Sequence, residues 1–179
     1  MTRVENNKQK FQQFMNDLLC GMYFEGYKFD TSFTLRFGGS YSKNASNKKL
    51  PMVIELCLLG DWWFYTEKEW SRRLSIFKNS AKLDLEGWSL DEPLQAFELT
   101  RLRWSEGSEI CSVSLESEVL EIKFKNERQL NISCMPVEGE TWTLVGKNHI
   151  FDENGELFAV DELSVTCEGG EYFINTLQL

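Results

Sequence analysis

The single histidine, His149, is the first residue to consider for catalysis, because imidazole readily exchanges a proton near neutral pH. It stands in the run 146–150, whose composition predicts a turn leading into a hairpin. Nucleophilic catalysis would require a Ser or Cys beside it and a third group to orient the ring. No spacing in the sequence selects such a partner. We therefore predict that His149 is a surface residue and that the chain is not an enzyme.

Carboxylates are the other groups that could carry chemistry, since two of them suffice to hydrolyse a glycosidic bond. The chain has 28 Asp and Glu residues, so some pair is close by chance and no pair stands out. The run 152–156 resembles a calcium loop in composition. Its spacing is wrong, because Gly155 is fourth from Asp152 and a calcium loop needs glycine at the sixth position. No metal or cofactor is predicted.

The cysteines are odd in number and widely separated, and none has another Cys or a His within four residues, which argues against a metal site. They fall mostly on apolar faces of strand-like runs, which predicts reduced core thiols in a cytoplasmic protein. They are Cys20, Cys57, Cys111, Cys134 and Cys167. The longest apolar stretch, residues 51–60, is interrupted by Glu55 and is shorter than the roughly 20 residues of a membrane span. Neither a membrane span nor a secretory signal is predicted.

Two amphipathic helices are predicted to frame the rest of the chain. Residues 5–20 carry apolar side chains at helical spacing, and Gly21 ends the segment. A second helix is predicted near residues 67–78, because Thr66 and Glu69 have the spacing of a capping box. Trp70, Leu74 and Phe77 would lie on one face of this helix, with Arg72, Arg73 and Lys78 away from it.

Alternating apolar and polar residues predict strands over most of the remaining sequence. Residues 53–59 are apolar except for Glu55, which predicts a central strand covered on both faces. Residues 111–134 predict a three-stranded antiparallel meander with one solvated face, and residues 150–160 predict a hairpin. The expected fold is α+β, mainly antiparallel β-sheet with an N-terminal amphipathic helix and a second helix near residues 67–78.

The whole chain, residues 1–179, is predicted to be one domain with two similar β-rich halves as a possible substructure, 1–83 and 84–179. The run 33–37 with 54–56 and Trp62 has the same pattern as 120–124 with 130–132 and Trp142. Residues 80–96 are the connector between the halves, and their apolar content predicts that they pack on the core.

Charge is divided unevenly between these halves. Residues 1–83 contain 13 Lys and Arg against 8 Asp and Glu, whereas residues 84–179 contain 6 against 20, and the net charge is −9. An acidic half repels phosphate within a Debye length, about 8 Å at physiological salt, so no nucleic acid partner is predicted. Such acidity serves solubility. It also attracts a Lys- and Arg-rich protein and raises the association rate.

The candidate partner-binding residues are the acidic clusters of the second half and the tryptophan among them. They are Asp84, Glu86, Trp88, Asp91, Glu92, Glu106, Glu109, Asp152, Glu153, Glu156, Asp161 and Glu162. Tryptophan is enriched at protein interfaces, and an interface is one interpretation of the six tryptophans in this chain; the other is an aromatic core.

The segment WSLDEPLQAFELTRLRW at 88–104 is followed by short amphipathic runs at 113–116, 120–124 and 130–133 and by Trp142. Over about residues 88–145, this small acidic chain without a catalytic set resembles bacterial immunity proteins encoded beside polymorphic or contact-dependent growth inhibition toxins. The resemblance implies a cytoplasmic monomer that binds a cognate toxin one to one. The toxin would have a basic C-terminal domain, commonly a nuclease, and the immunity protein would perform no chemistry. No site residue is carried over.

Two other classes remain open. A ligand-binding or scaffold domain predicts a hydrophobic pocket near Trp62 and Trp63. A carboxylate-dependent enzyme predicts a cleft that joins His149 to carboxylates.

Overall fold

The computed structural model describes residues 2–3, 8–39, 53–81, 91–135, 139–151 and 157–176. Within them the chain has the predicted α+β fold, with every strand pair antiparallel. The helices are α1 (Lys8–Leu19), α2 (Glu67–Ala81) and α3 (Glu92–Arg103). The strands are β1 (Thr2–Arg3), β2 (Tyr23–Phe29), β3 (Phe33–Gly38), β4 (Val53–Leu58), β5 (Trp62–Phe64), β6 (Ile110–Glu116), β7 (Val119–Phe124), β8 (Gln129–Ser133), β9 (Glu140–Phe151), β10 (Leu157–Glu168) and β11 (Glu171–Thr176). No described helix is long and apolar enough to cross a membrane.

The strands form two sheets. The larger has the order β1-β11-β10-β9-β4-β3-β2 and the smaller has the order β5-β8-β7-β6. The predicted meander is confirmed as β6, β7 and β8, and β5 adds a fourth strand to it. Its first turn places Ser117 and Glu118 at φ angles of 47° and 63°, as a tight two-residue hairpin requires. The predicted hairpin is also confirmed, since β9 pairs with β10 up to Phe151 and Leu157.

Both sheets contain strands from both halves of the chain: the larger has β1 to β4 from the first half and β9 to β11 from the second, and the smaller has β5 from the first half and β6 to β8 from the second. Strand β4 pairs with β9, and β8 pairs with β5. The N–H groups of Leu59 and Gly60 donate to the carbonyl of Thr141, at 2.9 and 2.8 Å. In the equivalent place, the Ser133 N–H donates to the carbonyl of Asp61 at 2.9 Å. The helices cross over too, because α1 packs on β6 and α3 packs on β2.

The two halves therefore repeat one order of elements: a helix, a three-stranded meander and a strand that enters the other sheet. The similar sequence runs fall on equivalent strands, β3 with β7, β4 with β8 and β5 with β9. A single hydrophobic core contains side chains from both sheets, from α1 and from α3. Common ancestry of the halves stays a prediction.

Helix α1 has the predicted apolar face, with Phe11, Met15, Leu18 and Leu19 buried. It also covers the free edge of β6 with a side chain. The amide of Asn16 donates to the carbonyl of Val113 at 2.6 Å and accepts from the N–H of the same residue at 2.9 Å. Asn16 thus supplies the two hydrogen bonds that a neighbouring strand would give.

Helix α2 begins with half of the predicted capping box. The Glu69 N–H donates to the Thr66 hydroxyl at 3.3 Å. The Glu69 carboxylate accepts instead from Arg72 and Arg73, each at 2.8 Å. The hydrogen bond from Arg72 is the main cause that lowers the pKa of Glu69 to about 2. These two arginines are therefore ion-paired, and Arg73 also reaches Glu98.

Helix α3 lies partly where a connector, residues 80–96, is predicted, and the prediction misses it. The buried face of α3 contains two polar residues among three leucines, so it lacks a clean apolar stripe. It consists of Leu94, Gln95, Glu98, Leu99 and Leu102. The available signal is Pro93 in the first turn, a position that proline favours. Residues 82–90 lie outside the described part.

Three further predictions need correction. Strand β4 is an interior strand as predicted, but its second face, with Val53, Glu55 and Cys57, is only partly buried; Glu55 there is 23% exposed and accepts from Lys147 at 2.6 Å. The run containing His149 belongs to β9 and is not a turn. All five cysteines are free; Cys134 and Cys167 are buried, but Cys111 is exposed and not a core residue.

Candidate functional site

A cleft of about 480 Å³ opens where the β2–β3 turn, the β4–β5 connection and the first turns of α2 and α3 meet. Its walls are aromatic and acidic. The residues that matter below are Phe29, Leu59, Asp61, Trp62, Trp63, Glu67, Trp70, Asp91, Glu92 and Gln95. The first half of the chain supplies the lining from β2, β5, α2 and their connections and the second half supplies it from the start of α3, so the cleft exists only when both halves are folded together.

The floor of the cleft is fixed by β5. Trp62 is buried and meets Phe33 edge to face, with ring centroids 5.0 Å apart. Trp63, the next residue of the strand, is half-buried and also lines the cleft. Phe29 and Leu59, 45% and 50% exposed, are two of the large hydrophobic side chains that remain open to solvent, and both line this cleft.

Helix α3 is anchored to β5 by polar contacts from its buried face. Gln95 donates from its amide nitrogen to the carbonyl of Trp62 at 2.7 Å. One turn later, Glu98 accepts from the Tyr65 hydroxyl at 2.9 Å and from Arg73 at 3.0 Å. Burial, and then the charge of Glu98 and its hydrogen bond, raise the pKa of Tyr65, which keeps the hydroxyl protonated as the donor. These contacts set the position of Asp91 and Glu92 at the start of the helix.

The electrostatic character of the cleft is strongly negative. Asp61, Glu67, Asp91 and Glu92 line it, and among the described residues no Lys, Arg or His does. In the described part of the chain, none of these four carboxylates takes part in an ion pair. Six other glutamates differ, since each has a cationic partner within 3.3 Å; they are Glu25, Glu55, Glu69, Glu98, Glu109 and Glu121.

No protein-family model, curated protein or solved structure matches this chain. The chemistry of the cleft must therefore indicate what it binds. A concave site with aromatic walls and unpaired carboxylates is suited to a cation that has an apolar surface. The surroundings of the His149 side chain are outside the described part of the structure. Among the described residues, no group of three His, Cys, Asp or Glu side chains is arranged to hold a metal ion.

The predicted partner-binding residues are divided by the structure. Asp91 and Glu92 lie in the cleft, whereas Glu106 and Glu109 follow the other end of α3, a helix of 12 residues and about 18 Å. Glu109 also pairs with Lys125 at 2.7 Å, and this contact, with a hydrogen bond from Tyr23, lowers the pKa of Glu109. These two pairs of acidic residues do not form one patch.

The other predicted residues are not placed against a partner surface. Asp84, Glu86, Trp88, Asp152, Glu153 and Glu156 lie outside the described residues. Asp161 and Glu162 belong to β10, but the surroundings of their side chains are outside the described part.

Sequence reasoning did not assign Asp61, Glu67 or Gln95 to a site. Asp61 follows Gly60 at a strand end and Glu67 opens a helix, positions that are common for structural reasons. Of the six tryptophans, Trp62, Trp70 and Trp142 are buried, and Trp104 is 80% exposed. Three of the tryptophans are therefore core residues, as one of the two interpretations predicts, and Trp104 is accessible to a partner.

Proposed function

We propose that this chain is a non-catalytic, cytoplasmic immunity protein that binds and neutralises a cognate toxin with a basic C-terminal domain. The observation that carries the proposal is the set of four carboxylates around an aromatic cleft, for which the described part of the chain provides neither an ion-pair partner nor a cation in the lining. Binding a basic partner would bring those carboxylates their missing counter-charges. Complementary charge also accelerates encounter, which suits an inhibitor that must act before its toxin does.

The direct test is co-expression with the toxin domain encoded by the neighbouring gene. We expect the two proteins to co-purify one to one and the immunity protein to restore growth of cells that make the toxin. A pair that does not co-purify, together with growth that is not restored, would reject the proposal. A neighbouring operon for metabolism, with no large secreted protein in it, would also count against it.

The double reversal Asp91→Lys and Glu92→Lys should slow association with the toxin domain by about tenfold or more at low salt. It should also flatten the dependence of the association rate on ionic strength, because the steering charges are lost. Stopped-flow or surface-based kinetics at several salt concentrations measure both effects.

The matched control is Glu116→Lys with Glu118→Lys, which changes the net charge equally on the β6–β7 turn, outside the cleft. If both double variants slow association to the same extent, net charge alone is responsible and the cleft is not the interface.

A second candidate is a binding domain for a small cationic molecule. The cleft beside Trp62 and Trp63 favours it, because the ligand-binding alternative predicts a pocket at this place, although a hydrophobic one, and the acidic lining suits a cationic ligand. The co-expression test separates the two candidates, since a small-molecule binder gives no growth protection against the toxin.

A further inference from the structure

The cleft has the wall chemistry that a planar organic cation requires. Trp63, which is half-buried, lines it beside the half-exposed Phe29 and Leu59, and the buried Trp62 and Trp70 contribute their edges to the lining. A guanidinium group is planar and weakly hydrated, so it stacks on aromatic faces while its aliphatic stem covers apolar surface. An ammonium group is a compact and strongly hydrated charge that gains less from such walls.

The charge balance of the cleft favours a cation even after the helix dipoles are counted. The first turns of α2 and α3 both reach it, and each helix N-terminus carries about +0.5 of an elementary charge. Part of the acidity of Glu67, Asp91 and Glu92 therefore stabilises those helices. Four carboxylates still leave an excess of about three negative charges. An anion is disfavoured by this balance.

Within the described part of the chain, the Gln95 amide forms a hydrogen bond through its nitrogen and not through its oxygen. Gln95 is only 6% exposed, and its amide nitrogen is committed to the carbonyl of Trp62. This bond fixes which way the amide group faces. No described residue donates to the Gln95 amide oxygen, and the residue lines the cleft. A guanidinium has five N–H donors in a rigid fork, enough to satisfy this oxygen and two carboxylates together.

We infer that the cleft between β5, α2 and α3 is a receptor for one arginine side chain. This inference rests on the proposed function in one respect: the arginine is taken to be an exposed residue of the toxin domain. The guanidinium lies against the tryptophans, pairs with carboxylates at the starts of α2 and α3, and donates to the Gln95 amide oxygen. The wide cleft, about 480 Å³, accommodates the side chain with its stem.

The experiment uses the isolated protein and three small probes: N-acetyl-arginine amide, N-acetyl-lysine amide and N-acetyl-citrulline amide. Citrulline has the shape of arginine without the charge. Tryptophan fluorescence and the indole N–H signals in NMR spectra report binding. We expect the arginine probe to bind at least about tenfold more tightly than the citrulline probe, since charge-assisted hydrogen bonds are about twice as strong as neutral ones. The lysine probe should bind more weakly than arginine.

Two variants locate the binding site. Asp91→Asn with Glu92→Asn should weaken arginine binding by about tenfold, and Gln95→Met should weaken it while keeping the volume of the side chain. The control, Glu116→Gln with Glu118→Gln, should bind as the parent protein does. Thermal unfolding of each variant separates lost binding from lost folding, and Glu67→Gln, at an exposed position, is the reserve variant if α3 is disturbed.

The outcomes distinguish this inference from the proposed function. No saturable binding of the arginine probe, equal binding of citrulline, or tighter binding of lysine or of Ca²⁺ would overturn the arginine receptor. If the toxin co-purifies with the Asp91→Asn and Glu92→Asn variant at unchanged affinity, the arginine receptor is also overturned while the immunity function stands. If the arginine probe binds but no toxin does, the receptor stands and the immunity function fails.

Discussion

Replacing Glu98 by alanine is expected to lower the free energy of unfolding by about 3 kcal/mol, the usual cost of breaking a buried ion pair from one side. The Glu98 side chain is 1% exposed and holds together three elements. It accepts from Tyr65 after β5, from Arg73 on α2 and from Arg101 on its own helix, at 2.9, 3.0 and 3.3 Å. Without it, the Tyr65 hydroxyl loses its acceptor and Arg73 keeps only its ion pair with Glu69. For a chain of this length, the melting temperature should fall by about 9 °C.

The control for this experiment is a second Arg–Glu pair in the same protein. Glu25 accepts from Arg36 at 2.9 Å, but both side chains are nearly half-exposed, so Glu25→Ala should cost about 1 kcal/mol or less. The loss of unfolding free energy in Glu98→Gln should lie between those of the two alanine variants, because the amide oxygen still accepts from Tyr65 but the negative charge is gone. Urea unfolding curves of the three variants measure the differences. An equal loss of unfolding free energy in Glu98→Ala and Glu25→Ala would show that the buried position of Glu98 adds no stability.

Replacing Asn16 by alanine should destabilise the fold by about 2 kcal/mol, because a buried backbone group left without a partner costs about 1–3 kcal/mol. The variant loses the two bonds that Asn16 makes to Val113 on the edge of β6. The expected loss is therefore large for a side chain that is neither apolar nor charged. It should also be local, since β6 keeps its other neighbour β7.

Hydrogen exchange at the Val113 amide tests this directly. In the Asn16→Ala variant this amide should exchange faster, while amides in β7 keep most of their protection. Gln13→Ala is the control, since Gln13 lies on the same helix but its side chain bonds only to the exposed Asp17, at 2.8 Å. Unchanged exchange at Val113 would mean that water or a neighbouring side chain replaces the amide of Asn16.

The fold was most predictable where one face of an element is apolar throughout. Helix α1, helix α2 and the strands of the meander all have this pattern, and their positions in the sequence were predicted. The sequence does not predict helix α3, because the polar residues Gln95 and Glu98 occupy its buried face. Their partners lie on β5, after β5 and on α2, and the sequence pattern does not reveal those partners. The short strand β5 was missed as well, since its pairing with β8 joins Trp62 to Ile132, far away in the sequence.

The candidate site was predictable in parts and not as a whole. Sequence reasoning named Asp91 and Glu92 for their charge and Trp62 and Trp63 for a pocket, as features of two different functions. Nothing in the spacing of about 30 residues between them indicates that they share one cleft. That contact depends on α3 crossing to the first half of the chain, which is a property of the tertiary structure.

The exchange of strands between the halves has a consequence for synthesis on the ribosome. Strand β4 ends at Leu58 and its neighbour β9 begins at Glu140, about 80 residues later. At a translation rate of about 5–20 residues per second, β4 waits about 4–16 s before β9 exists. During that time the nascent first half has an unpaired sheet edge. On one face of this edge strand lie Ile54 and Leu56, which are buried in the folded protein. The larger sheet is therefore completed only late in translation, after β9 has been made.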